Sequence, residues 1–488
     1  MTNDLKKDFE ARKDFYANRA SAIYPIYFVD KSNDLLLSWL NYWTVKNGID
    51  AEKIAINIRI YNANGDLKVH DILQDLQLNN LISIRTYIEV PSFSGMVEVE
   101  VVSCSNLKFT FPALIGIYKS KSLYSCVHSA GRIKGSDEIH TPSLTTETNW
   151  TCKFGNGVTP FFHYINGNCA EAKQLSVNLY SSSGVLVESA TINENLNPFA
   201  SRLFLIDEMF NDVVFEAGMF VGVECANDSV FRRMVVGNYH KKLSHLEVTH
   251  SFPKQVSKDL CPKVEGGVNS FLAIYSDNNL DVTARVFPTN IKGHFTSEIM
   301  EQRFSDKRLV PIERRGVLEK GFGSVSLAAD IKFMLVGFKG AVPSRFNTNF
   351  LYKVKDSQSS FSTDIATGAK SSVYPPKFSH WGSGVFGDGY DFVLMIRNNN
   401  HDGTSSKAKG KLKFYGLGKS KGLEVDVELE AESSISISLS DLLRDSRNSP
   451  KDELCVFTWF MLLDQPNSET FWISYRKADG CILGEHGF

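Results

Sequence analysis

The chain has 488 residues, with 53 basic and 55 acidic side chains and a formal net charge of −2. This length exceeds the roughly 250–300 residues at which a single hydrophobic core stops growing, so we expect several domains. The 43% hydrophobic and 22% charged fractions exclude a mainly disordered chain. The balanced charge argues against a nucleic-acid partner bound through phosphate neutralisation.

The N-terminal stretch carries charges of both signs and lacks the apolar run of a secretory signal. Leu5, Phe9 and Tyr16 lie along one helical stripe, which predicts an N-terminal helix within residues 1–21. Later apolar runs fall far short of the roughly 20 residues of a membrane-spanning helix. We therefore expect a cytoplasmic protein without a membrane span, with leaderless release as an open alternative.

The cysteines are scattered along the chain, and no two of them form a Cys-x-x-Cys pair. Disulfide scaffolds and structural zinc sites use clustered or regularly spaced cysteines. The pattern therefore indicates reduced thiols.

Strict alternation of apolar and polar residues recurs along the chain, at residues 54–60, 97–101, 175–179, 423–430 and 435–439. Successive side chains of a strand point to opposite faces, so each stretch predicts a strand with one face in a core and one in water. Buried parallel strands would instead appear as continuous apolar runs. The sequence therefore predicts an all-β fold of antiparallel sheets.

Other local patterns predict turns and short helices between these strands. Turns rich in Asn, Gly and Asp are predicted at residues 62–66, 166–168, 277–279 and 398–403. Brief helical patterns occur at residues 70–76, 203–211 and 438–445.

An internal repeat organises the chain. Residues 95–129 align with residues 218–251, since Gly-Met opens both and His-Ser closes both, and residues 455–487 form a weaker copy. The closing histidines are His128, His250 and His486, and the interval of about 122 residues fits four times into 488.

We therefore predict four tandem β-sandwich units, jelly-roll or immunoglobulin-like, after the N-terminal helix. They occupy residues 22–137, 138–256, 257–372 and 373–488, and the third unit is the most divergent. The predicted junctions are short, one of them at Pro253-Lys254-Gln255, so neighbouring units should contact one another.

The densest polar cluster lies between the first two predicted units. His128, Ser129, Arg132 and Glu138 supply an imidazole, a hydroxyl, a guanidinium and a carboxylate, the groups of a hydrolase or lyase site. The serine lies outside any Gly-x-Ser-x-Gly motif, however. Because the closing histidines recur at equivalent places, a hydrogen bond from a strand-end imidazole to a backbone carbonyl explains them more simply.

No metal site or cofactor is predicted. His240, His245 and His250 are five residues apart, so neighbours point to opposite faces of a regular strand unless a hairpin intervenes. Residues 387–391 and 398–403 offer oxygen ligands suited to calcium. They lack the twelve-residue loop with its terminal glutamate, and hairpin turns use the same residues.

Aromatic residues make up 12% of the chain. Trp150 and Trp381 recur at equivalent places, which favours a core role. Trp43, Trp459 and Trp472 do not recur, and they are the candidates for an exposed ligand-binding surface.

Three classes of function remain open. The first is a non-enzymatic structural or protein-interaction protein with a protein partner or self-association. The second is a carbohydrate-binding protein that uses exposed aromatics and Asn/Asp-rich loops. The third is a hydrolase or lyase with its site at an inter-unit junction.

Overall fold

A computed structural model describes most of the chain. The described residues are 20–103, 113–128, 131–133, 143–148, 150–167, 171–182, 185–227, 234–253, 256–257, 263–264, 270–288, 300–313, 334–339, 342–343, 345–350, 361–368, 378–398, 406–417, 422–431, 433–444, 453–466, 468–476 and 478–488. The protein is nearly all β, and its strands pair antiparallel, which confirms the predicted fold class of all-β sandwich units.

We describe the N-terminal half of the chain as two segments, each with nine strands. The first segment contains β1 (Ala20–Phe28), β2 (Asn33–Leu40), β3 (Ile54–Asn62), β4 (Leu67–Leu73), β5 (Asn79–Ser83), β6 (Phe93–Ser103), β7 (Leu114–Ser120), β8 (Leu123–His128) and β9 (Gly131–Ile133). The second contains β10 (Ser143–Thr148), β11 (Val158–Ile165), β12 (Glu171–Tyr180), β13 (Leu186–Leu196), β14 (Ser201–Leu205), β15 (Phe220–Asn227), β16 (Val235–His240), β17 (His245–His250) and β18 (Phe252–Pro253).

The remaining strands follow in the C-terminal half. They are β19 (Val256–Ser257), β20 (Lys263–Val264), β21 (Ser270–Pro288), β22 (Met300–Glu313), β23 (Met334–Lys339), β24 (Val342–Pro343), β25 (Arg345–Phe350), β26 (Thr363–Gly368), β27 (Ser379–Phe386), β28 (Tyr390–Asn398), β29 (Ala408–Tyr415), β30 (Leu423–Leu429), β31 (Ser434–Ser438), β32 (Cys455–Leu463), β33 (Ser468–Arg476) and β34 (Ile482–His486). Short helices are α1 (Tyr42–Asn47), α2 (Ile206–Met209) and α3 (Leu439–Leu442).

The chain forms two compact units. The first comprises Met1–Thr148 and Cys152–Pro253, and the second comprises Asn149–Thr151 and Lys254–Phe488. The second unit resumes at Lys254, within the predicted Pro253-Lys254-Gln255 junction.

The strand order repeats between the two segments of the first unit. The first segment pairs its strands as β4-β3-β6-β1-β9 and β5-β2-β7-β8, and the second as β13-β12-β15-β10-β18 and β14-β11-β16-β17. Each strand number in the second set is nine higher than its counterpart. The two sheets of each segment enclose apolar side chains such as Ile58 and Val99 in one segment, and Val177 and Val223 in the other.

At the C-terminal end of the second unit, the order β30-β29-β32-β27 corresponds to β4-β3-β6-β1 without the fifth strand, and β31-β28-β33-β34 corresponds to β5-β2-β7-β8. Between these regions lie a sheet of order β20-β23-β21-β25-β26, in which β22 also pairs with β21, and the β19-β24 pair. The division into four sandwich units with the predicted boundaries stays a prediction.

The two segments of the first unit also meet at a hairpin tip. The Ala63 carbonyl in the β3–β4 turn accepts a hydrogen bond from the Ser201 amide at 3.0 Å. Gly65 in the same turn has a φ of +88°, and a Cβ there would lie 2.0 Å from the Pro198 carbonyl oxygen. The turn therefore requires glycine both for its backbone conformation and for its close approach to the second segment.

The helix predictions had mixed outcomes. The patterns at residues 203–211 and 438–445 contain α2 and α3, whereas residues 70–76 were predicted wrongly, since β4 continues to Leu73. The predicted N-terminal helix lies outside the described residues up to position 19, and β1 begins at Ala20. The sequence pattern did not reveal α1, although Asn41 caps its N-terminus through Thr44 and Gly48 ends it in a left-handed conformation.

One predicted turn is absent. Residues 277–279 lie within β21, where the register against β22 shifts between Tyr275 and Leu280. A β-bulge absorbs extra residues without reversing the chain, so turn-forming residues there do not end the strand.

The polar face of the β3–β6 pair was predicted to face water, but it is buried. Glu98 and Glu100 on β6 are almost fully buried. The guanidinium of Arg59 lies 2.8 Å from Glu100 Oε2 and 3.4 Å from Glu98 Oε2. Ser21 donates to Glu98 at 2.6 Å, and Asn57 donates to Glu100 at 3.0 Å. These donors offset the cost of burying the two carboxylates. Both faces of this alternating strand pair are therefore buried, one apolar and one polar.

No helix in the described ranges is both long enough and apolar enough to cross a bilayer. Among the described cysteine side chains, those of Cys126 and Cys481 are buried and those of Cys152 and Cys455 are partly exposed.

Candidate functional site at the paired strand ends of the first unit

Two of the closing histidines meet within the first unit. His128 is the last residue of β8, and His250 is the last residue of β17, its counterpart in the second segment. Both side chains are buried. Their ring centroids are 4.3 Å apart and their planes lie at 81°, an edge-to-face contact. We call His128 and His250 the histidine pair.

Side chains of the first segment hold β8 near β17 through carbonyls of the second segment. Ser125 donates from Oγ to the Leu246 carbonyl. Ser120 donates from Oγ to the Leu243 carbonyl at 2.7 Å. These bonds fix the end strands of the two four-stranded sheets beside each other, and the histidine pair lies where both strands end.

A backbone carbonyl orients one imidazole of the pair. Nδ1 of His250 lies 3.1 Å from the Ser251 carbonyl oxygen. Because a carbonyl only accepts hydrogen bonds, this contact assigns the proton of neutral His250 to Nδ1 and the ring lone pair to Nε2. In the second unit, Nδ1 of His486 makes the same contact with Gly487 at 3.3 Å. Both are the strand-end contact that the sequence analysis expected.

The opposite end of the β16–β17 hairpin carries a buried ion pair. Nζ of Lys153 donates to both carboxylate oxygens of Glu247, and Nε2 of His240 lies 3.3 Å from Oε1. Burial alone would raise the pKa of Glu247, but the charges of Lys153 and His240 and their hydrogen bonds lower it to about 2. Glu247 is therefore ionised at neutral pH and serves to anchor Lys153.

The hairpin also corrects the interpretation of the three clustered histidines as residues of one strand. A turn at Lys241–Leu243 reverses the chain, so His240 pairs in register with His245. Their ring centroids are 6.0 Å apart. His250 lies at the far end of the hairpin, opposite Val235. The three imidazoles therefore do not converge on one site.

His163 on β11 is a further buried imidazole, which the sequence analysis did not single out. Neither of its ring nitrogens has a hydrogen-bond partner among the described residues. Burial lowers the pKa of His163 to about 3, so the ring is neutral at physiological pH.

The predicted enzymatic cluster is only partly visible. His128 lies in the histidine pair, and Arg132 lies in β9 with a side chain outside the described set. Ser129 and Glu138 lie outside the described residues altogether. Whether these groups form a pocket therefore stays a prediction.

The predicted aromatic surface is wrong. Trp43, Trp459 and Trp472 are fully buried. Trp43 lies in α1, Trp459 packs over Gly382 on the neighbouring strand, and Trp472 stacks near Phe392 with centroids 6.2 Å apart. Trp150 and Trp381 are buried too, which confirms their predicted core role. Sequence recurrence therefore did not distinguish core from surface tryptophans.

Residues 387–389 form the hairpin turn between β27 and β28, and hydrogen bonds between Gly387 and Tyr390, the first residue of β28, close it. Asp391 accepts from the Phe392 amide at 2.8 Å. The predicted turn is therefore present, and the expectation of no calcium site stays a prediction. Of residues 398–403, only Asn398 is described.

The family and curated-protein comparisons found no match for this chain, whereas solved structures do match it. Among solved structures, it is similar at 9% identity to trypsin-activated alpha-2-macroglobulin from Escherichia coli, with a TM-score of 0.11 over 93% of this chain. The chain spans 30% of the length of that protein. A TM-score this low carries no argument about fold or function.

Proposed function

We propose that the chain is a non-enzymatic structural protein that associates with a second copy of itself through the edge strand β13. The observation that carries this proposal is the exposure of β13, which ends its five-stranded sheet in the described part of the chain. Its first four residues are all exposed, and Leu186 and Val187 are apolar. Val185, directly before the strand, is 63% exposed.

An exposed strand edge presents unpaired backbone donors and acceptors to another chain. Proteins guard such edges with lysine, proline or a short strand length. β13 has eleven residues and contains neither lysine nor proline. Three consecutive exposed apolar residues do not stabilise a monomer, because they stay in contact with water, whereas burying them in an interface is favourable.

The corresponding edge strands of the other segments are guarded. β4 has seven residues and carries Lys68, His70 and Asp71. On β30, acidic residues pair with lysines of β29, as in the 3.0 Å contact between Lys413 and Glu424. These charges oppose pairing with another strand, so β13 is the best suited to association of these three edges in the described part of the chain.

A second copy is the occupant that this edge fits best. Antiparallel pairing of one edge strand with its own copy forms a closed two-fold interface, and closed symmetry is the common form of assembly. If the two copies of β13 pair about Thr191, Glu188 of each copy lies opposite Glu194 of the other. Pairing about Ala190 places Glu188 opposite Ile192 and avoids this repulsion. The acidic side chains thus restrict the register without preventing the pairing.

The test compares two equivalent leucines. Leu186 on β13 pairs with Tyr180 on β12, directly after a register shift between those two strands. Leu67 on β4 pairs with Tyr61 on β3, directly after a register shift of the same kind. Both leucines are about half exposed. We expect the wild-type chain to dimerise with rising concentration in sedimentation velocity. Leu186→Lys should weaken the dimer at least tenfold, about 1.4 kcal/mol, and Leu67→Lys should leave it unchanged.

Three outcomes would contradict the proposal. The wild-type chain could stay monomeric at high concentration, both variants could act alike, or association could persist in Leu186→Lys. Circular dichroism of each variant shows whether the fold is retained. The burial of Trp43, Trp459 and Trp472 removes the aromatic support for the glycan-binding alternative.

A further inference from the structure

We propose that the histidine pair of the first unit binds a divalent transition-metal ion such as Zn²⁺, which joins the ends of β8 and β17. Imidazole nitrogen is a preferred ligand of zinc, with a Zn–N distance of about 2.0–2.1 Å. Two such bonds to one ion place the nitrogens roughly 3.3–4.2 Å apart. In the structure, a ring nitrogen of His128 and one of His250 lie within 4.8 Å of each other. A small side-chain movement therefore suffices.

The surroundings of His250 resemble those of a metal ligand. Metal-bound histidines usually donate their second ring N–H to a carboxylate or a backbone carbonyl, which fixes the ring and its tautomer. The contact between Nδ1 of His250 and the Ser251 carbonyl, at 3.1 Å, is of this kind. It directs the lone pair of Nε2 away from its own backbone.

Local charge favours this site over the other imidazole contact of the hairpin, since both sites are equally buried. His240 lies 3.3 Å from the carboxylate of Glu247, which already binds Lys153. The cationic ammonium there opposes binding of a second cation. At the histidine pair the ion would be held by two imidazole nitrogens, and its remaining positions are left to water or a further donor.

Metal binding would stabilise the first unit, because an ion that binds the folded state alone adds to its stability by mass action. It would connect β8 and β17, the end strands of the two four-stranded sheets, beside the hydrogen bonds that Ser120 and Ser125 make between the two segments. This role does not depend on the proposed association through β13.

The experiment uses the full chain after treatment with a chelator. Titration with Zn²⁺ in a calorimeter should show one site per chain, and the thermal unfolding midpoint should rise with zinc and fall again with chelator. His128→Gln and His250→Gln should each weaken binding at least tenfold. His163→Leu removes another buried histidine of the same unit, and it should bind zinc like the wild type.

Two results would overturn the proposal. One is a chelator-treated wild-type chain that binds no zinc in the calorimeter. The other is binding of unchanged affinity in His128→Gln and His250→Gln. If either variant fails to fold, the side-chain nitrogen NMR signals of the wild-type histidines give an independent answer: zinc-dependent shifts at His128 and His250 support the site, and unchanged signals for both refute it.

Discussion

Lys153 donates from its ammonium group to both carboxylate oxygens of Glu247, at 2.8 and 2.9 Å. Lys153 precedes β11 and Glu247 lies on β17, so the contact joins two parts of the second segment that are distant in sequence. The carboxylate side chain is 7% exposed, and it has lost most of its hydration.

We expect Lys153→Met to destabilise the protein by about 3 kcal/mol, because it leaves a buried carboxylate without its main counter-charge. The free energy of unfolding in urea measures this effect. Lys241→Met is the matched control, since Lys241 contacts Asp207 at 2.8 Å in a solvent-accessible pair. Exposed pairs contribute roughly 0–1 kcal/mol, so equal losses in the two variants would contradict the prediction.

His163 should make the protein sensitive to mild acid. Its pKa is about 3 in the folded protein and near 6.5 when unfolded, so the unfolded state binds the proton first as the pH falls. Stability is therefore lost below pH 6.5, by about 1.4 kcal/mol per pH unit.

His163→Leu removes that proton site. Between pH 6.5 and 5, where Glu247 stays ionised in both states, the variant should lose about 2 kcal/mol less than the wild type. Urea unfolding at a series of pH values measures the difference. Parallel stability curves for the two proteins would show that His163 is not the responsible group.

Gly382 is required by the indole of Trp459. The two residues are register partners on β27 and β32, and a Cβ at Gly382 would lie 2.7–2.8 Å from three ring atoms. Gly382→Ala should cost about 1–3 kcal/mol through overpacking. In the W459L background the same change should cost little, and a double-mutant cycle measures the difference. An equal cost in both backgrounds would mean that the indole is not the obstacle.

The tryptophans should be inaccessible to solutes. All six are buried, at 39, 43, 150, 381, 459 and 472. Iodide, which quenches exposed indoles, should therefore quench the folded protein several-fold less than the urea-unfolded chain. Strong quenching of the native protein would show that at least one of these rings reaches solvent.

The sequence predicted the fold class because strand periodicity is a local property. In β30 the acidic side chains of Glu424 and Asp426 are exposed, as alternation requires. On β6 the same alternation failed for Glu98 and Glu100, because Arg59 and Ser21 approach them from other strands. The apolar–polar alternation of one strand does not reveal which residues of distant strands will contact it.

The candidate site shows the same limit. Repetition marked His128 and His250 as equivalent, but it gave no reason to expect that their rings touch. That contact depends on how β8 lies against β17, which the serine hydrogen bonds to Leu243 and Leu246 determine. A signal existed for α1, since Asn41 and Gly48 are a cap residue and a helix-ending glycine. The surrounding aromatic residues obscured it.

The β3–β4 turn is unsuitable for peptide tags or inserted loops, although a surface hairpin tip is normally the first choice for both. Gly65 lies against Pro198, and Ala63 binds the Ser201 amide. Any added residues would push into the neighbouring segment. Laboratories that label this protein should choose another position.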